Sequence, residues 1–199
     1  EVCGPDTIRC GARITRLLHD GRRLTQVEVN GVERLPVDRV AATLPLSVVV
    51  RVLDPRPPGG ILALADQVTF RHVALVAWFL ARPSVTGYAT VYFPEPTTPV
   101  TRVSEPRNRS PLMAPPNHTS LVAEVPCSEA DDLWHGTDDA IVRTAAPALA
   151  ALGWLLPDEV KGTTVVRVPN AYPVLTIEAE QAAAELVHYL GRFHNLHLL

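Results

Sequence analysis

Arg102, Glu105, Arg107 and Arg109 lie close together inside the segment V-T-R-V-S-E-P-R-N-R-S-P-L-M-A-P-P-N-H-T-S-L-V-A-E-V-P-C, which runs from Val100 to Cys127. A guanidinium is always charged and presents a planar fork of donors, a match for a carboxylate or a phosphate. Pro106, Pro111, Pro115 and Pro116 fix φ and remove backbone donors between two strand-like runs. The connection should therefore be stiff and non-helical. The residues alone support two readings. In one, the stiff loop holds an anionic or polar ligand in fixed geometry. In the other, it is a solvated loop whose arginines pair with nearby acids, pairs that contribute about 0–1 kcal/mol each.

Other chemistry is thinner. The chain contains no G-x-G-x-x-G, P-loop, H-E-x-x-H or G-x-S-x-G motif. His194 and His197 are three apart and on a strand would face opposite sides, which argues against a shared metal. Asp131-Asp132 and Asp138-Asp139 read as solvated turn and helix-start charges. Glu178, Glu180 and Glu185 read as the polar side of a helix. Cys3, Cys10 and Cys127 are odd in number and form no C-x-x-C, so neither a disulfide framework nor a zinc site is expected. A reducing cytoplasm is the default location. Asn108-Arg109-Ser110 and Asn117-His118-Thr119 match the glycosylation sequon, a short pattern that means little without secretion.

The elements that must carry these residues can be read in order. Ala12–Leu18 and Leu24–Val29 are strand-like, and His19–Arg22 reads as the turn between them. Asn30-Gly31 is a strong hairpin signal with Val32–Leu35 as the returning strand. Val37–Pro45, V-D-R-V-A-A-T-L-P, is a short strand whose small residues allow close approach. Pro45–Leu53 is ambiguous. Val48, Val49, Val50 and Val52 favour a strand, whereas Pro45 ahead and Pro55 beyond favour a helix, the form that the family resemblance given below also implies. A second helix is expected over Ile61–Gln67. Val68–Ala81 is a long strand, with Tyr88–Phe93 pairing to it through a turn at Gly87. Val100–Ser104 and Ser120–Val125 complete a four-stranded antiparallel unit. Thr137–Gly153 reads as a helix capped by Thr137, with Ile141, Ala145, Leu149 and Leu152 as its apolar face and Pro147 as a kink. Thr163–Val168 is a strand. Ile177–Phe193 is a helix burying Leu186, Leu190 and Phe193, and Asn195–Leu199 begins a final strand.

Lys and Arg number 18 against 21 Asp and Glu, a net charge of −3, so no electrostatic case exists for nucleic acid or an anionic membrane. Apolar content of 47% and a mean hydropathy of +0.11 indicate a globular chain, and fit either a piece that buries surface against further sequence or an ordinary core. The apolar runs Leu44–Leu53 and Val73–Ala81 fall short of the ~18 residues that a membrane span needs. The opening E-V-C-G-P-D lacks both an initiator Met and a signal peptide, so Glu1 is not expected to be the biological start.

Taken in order, the meander, V-D-R-V-A-A-T-L-P, the strand with F-R-H, R-V-S-E-P-R-N-R-S-P-L-M-A-P-P, L-V-A-E-V-P-C, V-R-V-P-N-A-Y-P-V and F-H-N-L-H-L-L resemble the second half of flavin-containing amine oxidases. The similarity is to bacterial members of the protoporphyrinogen-oxidase-like and UDP-galactopyranose-mutase-like type. It implies an α+β fold, a mixed and largely antiparallel sheet flanked by helices, with a partial β-meander from an FAD-binding domain. The implied divisions are 1–45 in the FAD-binding domain, 46–168 as a substrate-binding domain, and 169–199 returning toward the FAD-binding domain. It further implies cofactor contacts at Ile14, Thr43 and Pro45. Substrate contacts are implied at Arg71, Arg102 and Tyr172. From the residues alone, Arg71 also reads as a core-edge arginine paired with an acid, and Tyr172 as simple packing.

The implied function is the substrate-domain portion of an FAD-dependent oxidoreductase acting on an amine or related CH–NH or CH–CH substrate, with the hydride moved by the flavin. No catalytic base is assigned. One alternative is a flavin-dependent mutase on a sugar nucleotide, and another is a non-catalytic binding or interaction domain. Neither the dinucleotide fingerprint nor the family's Gly-Arg-x-Gly segment is in the chain. The resemblance therefore implies a piece that does not hold FAD or turn over alone. Its partners would be a small-molecule substrate and the rest of the FAD domain, with self-association through exposed strand edges.

Overall fold

A computed structural model describes Gly4 and residues from Thr7 to Leu199; Cys3 lies outside the described residues. The chain divides into two compact units, one running to Thr69 and resuming at Val174, the other spanning Phe70–Pro173. The resemblance implies divisions after Pro45 and Val168 between FAD-binding and substrate-binding parts; the compact units meet after Thr69 and after Pro173.

In the first unit, β1 (Ile14–His19) and β2 (Leu24–Val29) pair antiparallel. Asn30 and Gly31 both take positive φ, 55° and 75°, the requirement of a type I′ turn, and lead into β3 (Glu33–Pro36). β4 (Val40–Ala42) precedes α1 (Leu46–Arg51), and β5 (Leu53–Asp54) lies parallel to β1. The valine-rich run is helical because burial of Val49 and Val50 overrides their strand preference. α2 (Gly59–Gln67) follows. Both helices belong to this unit because Val49, Val50 and Ala65 share a core with Leu17, Leu24, Leu186 and Phe193. That shared core carries the first compact unit on to Thr69.

The second unit is a five-stranded antiparallel sheet. It comprises β6 (Phe70–Leu80), β7 (Thr90–Tyr92), β8 (Arg102–Ser104), β9 (Thr119–Cys127) and β10 (Val160–Pro173), in the order β10-β6-β9-β8-β7. β7 therefore pairs with β8, not with β6 as the turn at Gly87 suggests. Long β9 and β10 occupy both edges of β6 and leave no place for a three-residue strand. After the four-residue α3 (Asp132–His135), α4 (Asp138–Ala150) covers one sheet face. Its Ile141, Ala145 and Leu149 pack with Val76, Trp78, Leu121 and Val125. Leu152 is half exposed rather than on the apolar face, because the helix ends at Ala150 and Gly153 turns the chain at φ 70°. Leu155 is buried in that core instead.

Thr137 caps α4, its hydroxyl accepting the Ala140 N–H at 3.3 Å. Thr137→Ala is expected to lower stability by about 1 kcal/mol in urea denaturation. A cost under about 0.3 kcal/mol would show the cap to be idle.

The chain returns to the first unit through α5 (Ile177–Leu190), which buries Leu186 and Leu190, with Phe193 just beyond, as its pattern suggests. β11 (Leu196–Leu198) then pairs parallel with β4. Among the described residues neither strand has another strand neighbour. Self-association that weakens on dilution is the expected result in sedimentation equilibrium, and a strict monomer at high concentration would overturn it.

Candidate functional site

Alternation along the strands sorts the five-stranded sheet into two faces. Thr119, Leu121, Ala123, Val125 and Cys127 of β9 are buried, whereas Ser120, Val122, Glu124 and Pro126 on the opposite face are only partly so. Register places Tyr92 beside Arg102, Arg102 beside Glu124, Glu124 beside Leu75 and Leu75 beside Val166. The row thus crosses every strand. At its margin Tyr172 stands opposite Arg71.

Polar side chains on this face form one network. Arg102 makes an ion pair with Glu124, and its guanidinium also donates to the Tyr172 hydroxyl at 3.3 Å. The Tyr172 hydroxyl in turn donates to Glu124 Oε2 at 3.0 Å. Arg102 lies 5.9 Å from the centre of the Tyr92 ring, a cation–π distance. Glu124 first, then the Tyr92 hydroxyl, raise Arg102 above its usual pKa and keep it charged. Burial first, then the bond to Glu124, raise the Tyr172 phenol above its usual value, so at neutral pH it is a donor.

Arg71 is different. It is exposed, and among the described residues no acid lies within 4.0 Å of it. Its charge acts on Asp131 only at longer range: the Ser128 N–H, the larger influence, and Arg71 together hold that carboxyl below its usual range.

The proline-rich loop is organised from inside. Glu105 is 1% exposed, and its carboxylate accepts the Val85 and Thr86 N–H groups and the Thr119 hydroxyl, each at 2.8 Å. It also accepts the Thr86 hydroxyl at 3.0 Å and the Asn108 side-chain amide at 3.1 Å. Arg107 donates to the Pro115 and His118 carbonyls at 2.9 Å each, and Arg109 donates to the Thr90 hydroxyl at 2.8 Å. Glu105 and Arg107 therefore brace the loop, and of the four residues that open the sequence reading only Arg102 joins the network. Pairing with acids, the other reading, holds for Arg102 alone.

The three implied cofactor contacts are all in the first unit. Ile14 begins β1 and is half-buried. Thr43 is exposed just past the carboxyl end of β4, and half-buried Pro45 precedes α1. The carboxyl end of a parallel strand is where open α/β sheets receive their ligands. A G-x-G-x-x-G turn is not in the chain. Among the described residues no three His, Cys, Asp or Glu side chains gather into a metal-ligand set. No helix there is long and apolar enough to cross a membrane.

Sequence reading missed Glu124, Tyr92 and His72. Alternation along L-V-A-E-V-P-C contains the signal for Glu124, once β8 and β9 are taken as partners joined by the loop.

No protein-family model matches the chain, and no curated protein sequence does. Solved structures do match it. Reduced UDP-galactopyranose mutase aligns over 94% of this chain and 40% of its own, with a TM-score of 0.74 and 19% identity. A protoporphyrinogen oxidase candidate from Exiguobacterium sp. 255-15 aligns over 94% and 41%, at 0.66 and 18%. A putrescine oxidase variant with a redesigned cofactor site aligns over 94% and 42%, at 0.61 and 16%. At these identities the likeness establishes the fold alone, the one these structures share over the aligned part. It is the α+β architecture that the resemblance implies. The chain spans about two fifths of the length of the structures it matches.

Proposed function

We propose that this chain is the substrate-domain portion, with part of the nucleotide-binding layer, of an FAD-dependent oxidoreductase acting on a CH–NH or CH–CH substrate that carries an anionic group. The second unit is then the substrate domain and the first unit belongs to the FAD-binding domain. One observation carries the reading: Arg102 is neutralised by Glu124, whereas Arg71 is exposed with no acid partner among the described residues, opposite Tyr172 on the same open face. A guanidinium with no acid partner among the described residues suits a carboxylate or a phosphate. When bound, the flavin supplies the hydride chemistry, with Thr43, Pro45 and Ile14 as contacts at its margin. This chain's residues bind and orient the substrate.

The same guanidinium suits the phosphates of a sugar nucleotide, which is the second reading, a flavin-dependent mutase. Anaerobic mixing of the longer protein with each substrate class distinguishes them. Bleaching of the oxidised flavin band marks the oxidoreductase, and sugar-nucleotide isomerisation with no net flavin reduction marks the mutase. A colourless longer protein would leave only a binding module. Arg71→Gln is expected to weaken binding of the anionic substrate at least ~10-fold, the loss of a charge-assisted pair, with little change in melting temperature. Unchanged binding in that variant would remove Arg71 from the site.

A further inference from the structure

β10 contains two more residues than β6 between the pairs Val168–Val73 and Tyr172–Arg71. Asn170, inside this bulge, takes a φ of 54°, a left-handed conformation that asparagine tolerates better than most residues. Without the two extra residues Asn170 would stand opposite Arg71. Tyr172 would then lie two positions further along the strand, roughly 7 Å away at ~3.4 Å per residue. The bulge is what puts the Tyr172 hydroxyl within reach of Glu124.

A bulge breaks the ladder and frees a backbone N–H. Here the Asn170 N–H donates at 3.0 Å to Nδ1 of His72, the residue of β6 that lies between Arg71 and Val73. With Nδ1 accepting, the ring proton sits on Nε2, which donates to Glu129 Oε2 at 2.8 Å. The imidazole is 7% exposed and stacked on Trp134, with ring centres 4.5 Å apart. His135 Nε2 binds the Glu129 carbonyl at 2.7 Å and anchors the same segment.

We propose that His72 is the positioning residue of the candidate site: through Nδ1 it holds the β10 bulge that aims Tyr172 at Glu124 and Arg102. Its functional weight rests on Arg71 and Tyr172 being the ligand site; its structural effect does not.

Two substitutions separate the ring's two bonds. Asparagine places an oxygen one bond beyond Cγ, where Nδ1 was, and keeps the acceptor for Asn170. Glutamine reaches toward Glu129 and abandons Asn170. The readout is the Tyr172 phenol titration by carbon NMR with labelled tyrosine, assigned by its loss in Tyr172→Phe. His72→Asn is expected to keep the Tyr172 pKa above the ordinary ~10, and His72→Gln to return it to that value. The Asn170 amide should stay slow to exchange in the first variant alone. Equal behaviour of the two variants, or loss of the raised value in His72→Asn, would overturn the proposal. The His72→Asn arm decides even where His72→Gln does not fold. No ligand enters this measurement, so its failure is distinct from the failure of Arg71→Gln to weaken anion binding.

Discussion

Glu105→Ala is expected to destabilise the second unit by about 3–5 kcal/mol, because it strands two backbone N–H groups and two hydroxyls that now meet a buried carboxylate. All three tryptophans, Trp78, Trp134 and Trp154, lie in that unit, so their fluorescence in urea follows its unfolding. Glu105→Gln keeps the shape but turns an amide N–H₂ toward donors, and should cost about 1.5–3 kcal/mol. A loss below about 1 kcal/mol in the alanine variant would refute this bracing role. Burial alone would raise the carboxyl's pKa; the Thr86, Val85 and Thr119 donors outweigh it, and the value lies below normal. A carboxylate with a lowered folded pKa contributes its stability fully above the unfolded value of about 4.3 and loses it as pH falls through the folded value. Acid denaturation of Glu105→Gln should therefore be flatter below pH 4.3 than that of the parent chain.

Asn195 should matter as much to the first unit. Its side chain, 4% exposed, accepts the Leu24 N–H at 2.9 Å and donates to the Leu24 and Asp38 carbonyls at 2.8 and 3.0 Å. It ties the start of β2 and the approach to β4 to the last strand. Asn195→Ala is expected to cost about 2–4 kcal/mol, since each buried group left unpaired costs about 1–3 kcal/mol. Asn195→Asp should be worse, because a carboxylate facing two carbonyls has no proton to give. Thermal unfolding with amide exchange in β4 and β11 tests both. Aspartate tolerated better than alanine would show that the donor contacts are dispensable.

What the sequence made legible was local. Leu24–Val29 and the Asn30-Gly31 turn follow from alternation and from one dipeptide's tolerance of positive φ. The α5 stripe at Leu186, Leu190 and Phe193 follows from a period of 3.6. Failures came where a distant partner decides. β7 lost β6 because β9 and β10 fit that strand's length better, and α1 and α2 joined the first unit through contacts with α5. Glu105 reads as a loop charge until Val85, Thr86 and Thr119 are seen to converge on it. The resemblance pointed to Arg71, Arg102 and Tyr172, and the structure brings all three to one face. It gave no sign of Glu124, which neutralises one arginine, or of His72, whose ring serves a backbone N–H almost a hundred positions away.

The strand partners Phe70 and Pro173 close the second unit, and just outside them the Val174 N–H donates to the Thr69 carbonyl at 3.0 Å. Both passages between units thus occur side by side. Such a segment is topologically a cassette: it can be lengthened, exchanged or deleted without rerouting its host, since a short turn from Thr69 to Val174 would restore continuity. Exchange of residues 70–173 as a block leaves the path of the remaining chain unchanged. The same proximity of ends makes that block a natural unit to express alone, or to transplant between hosts that share the 69–174 junction.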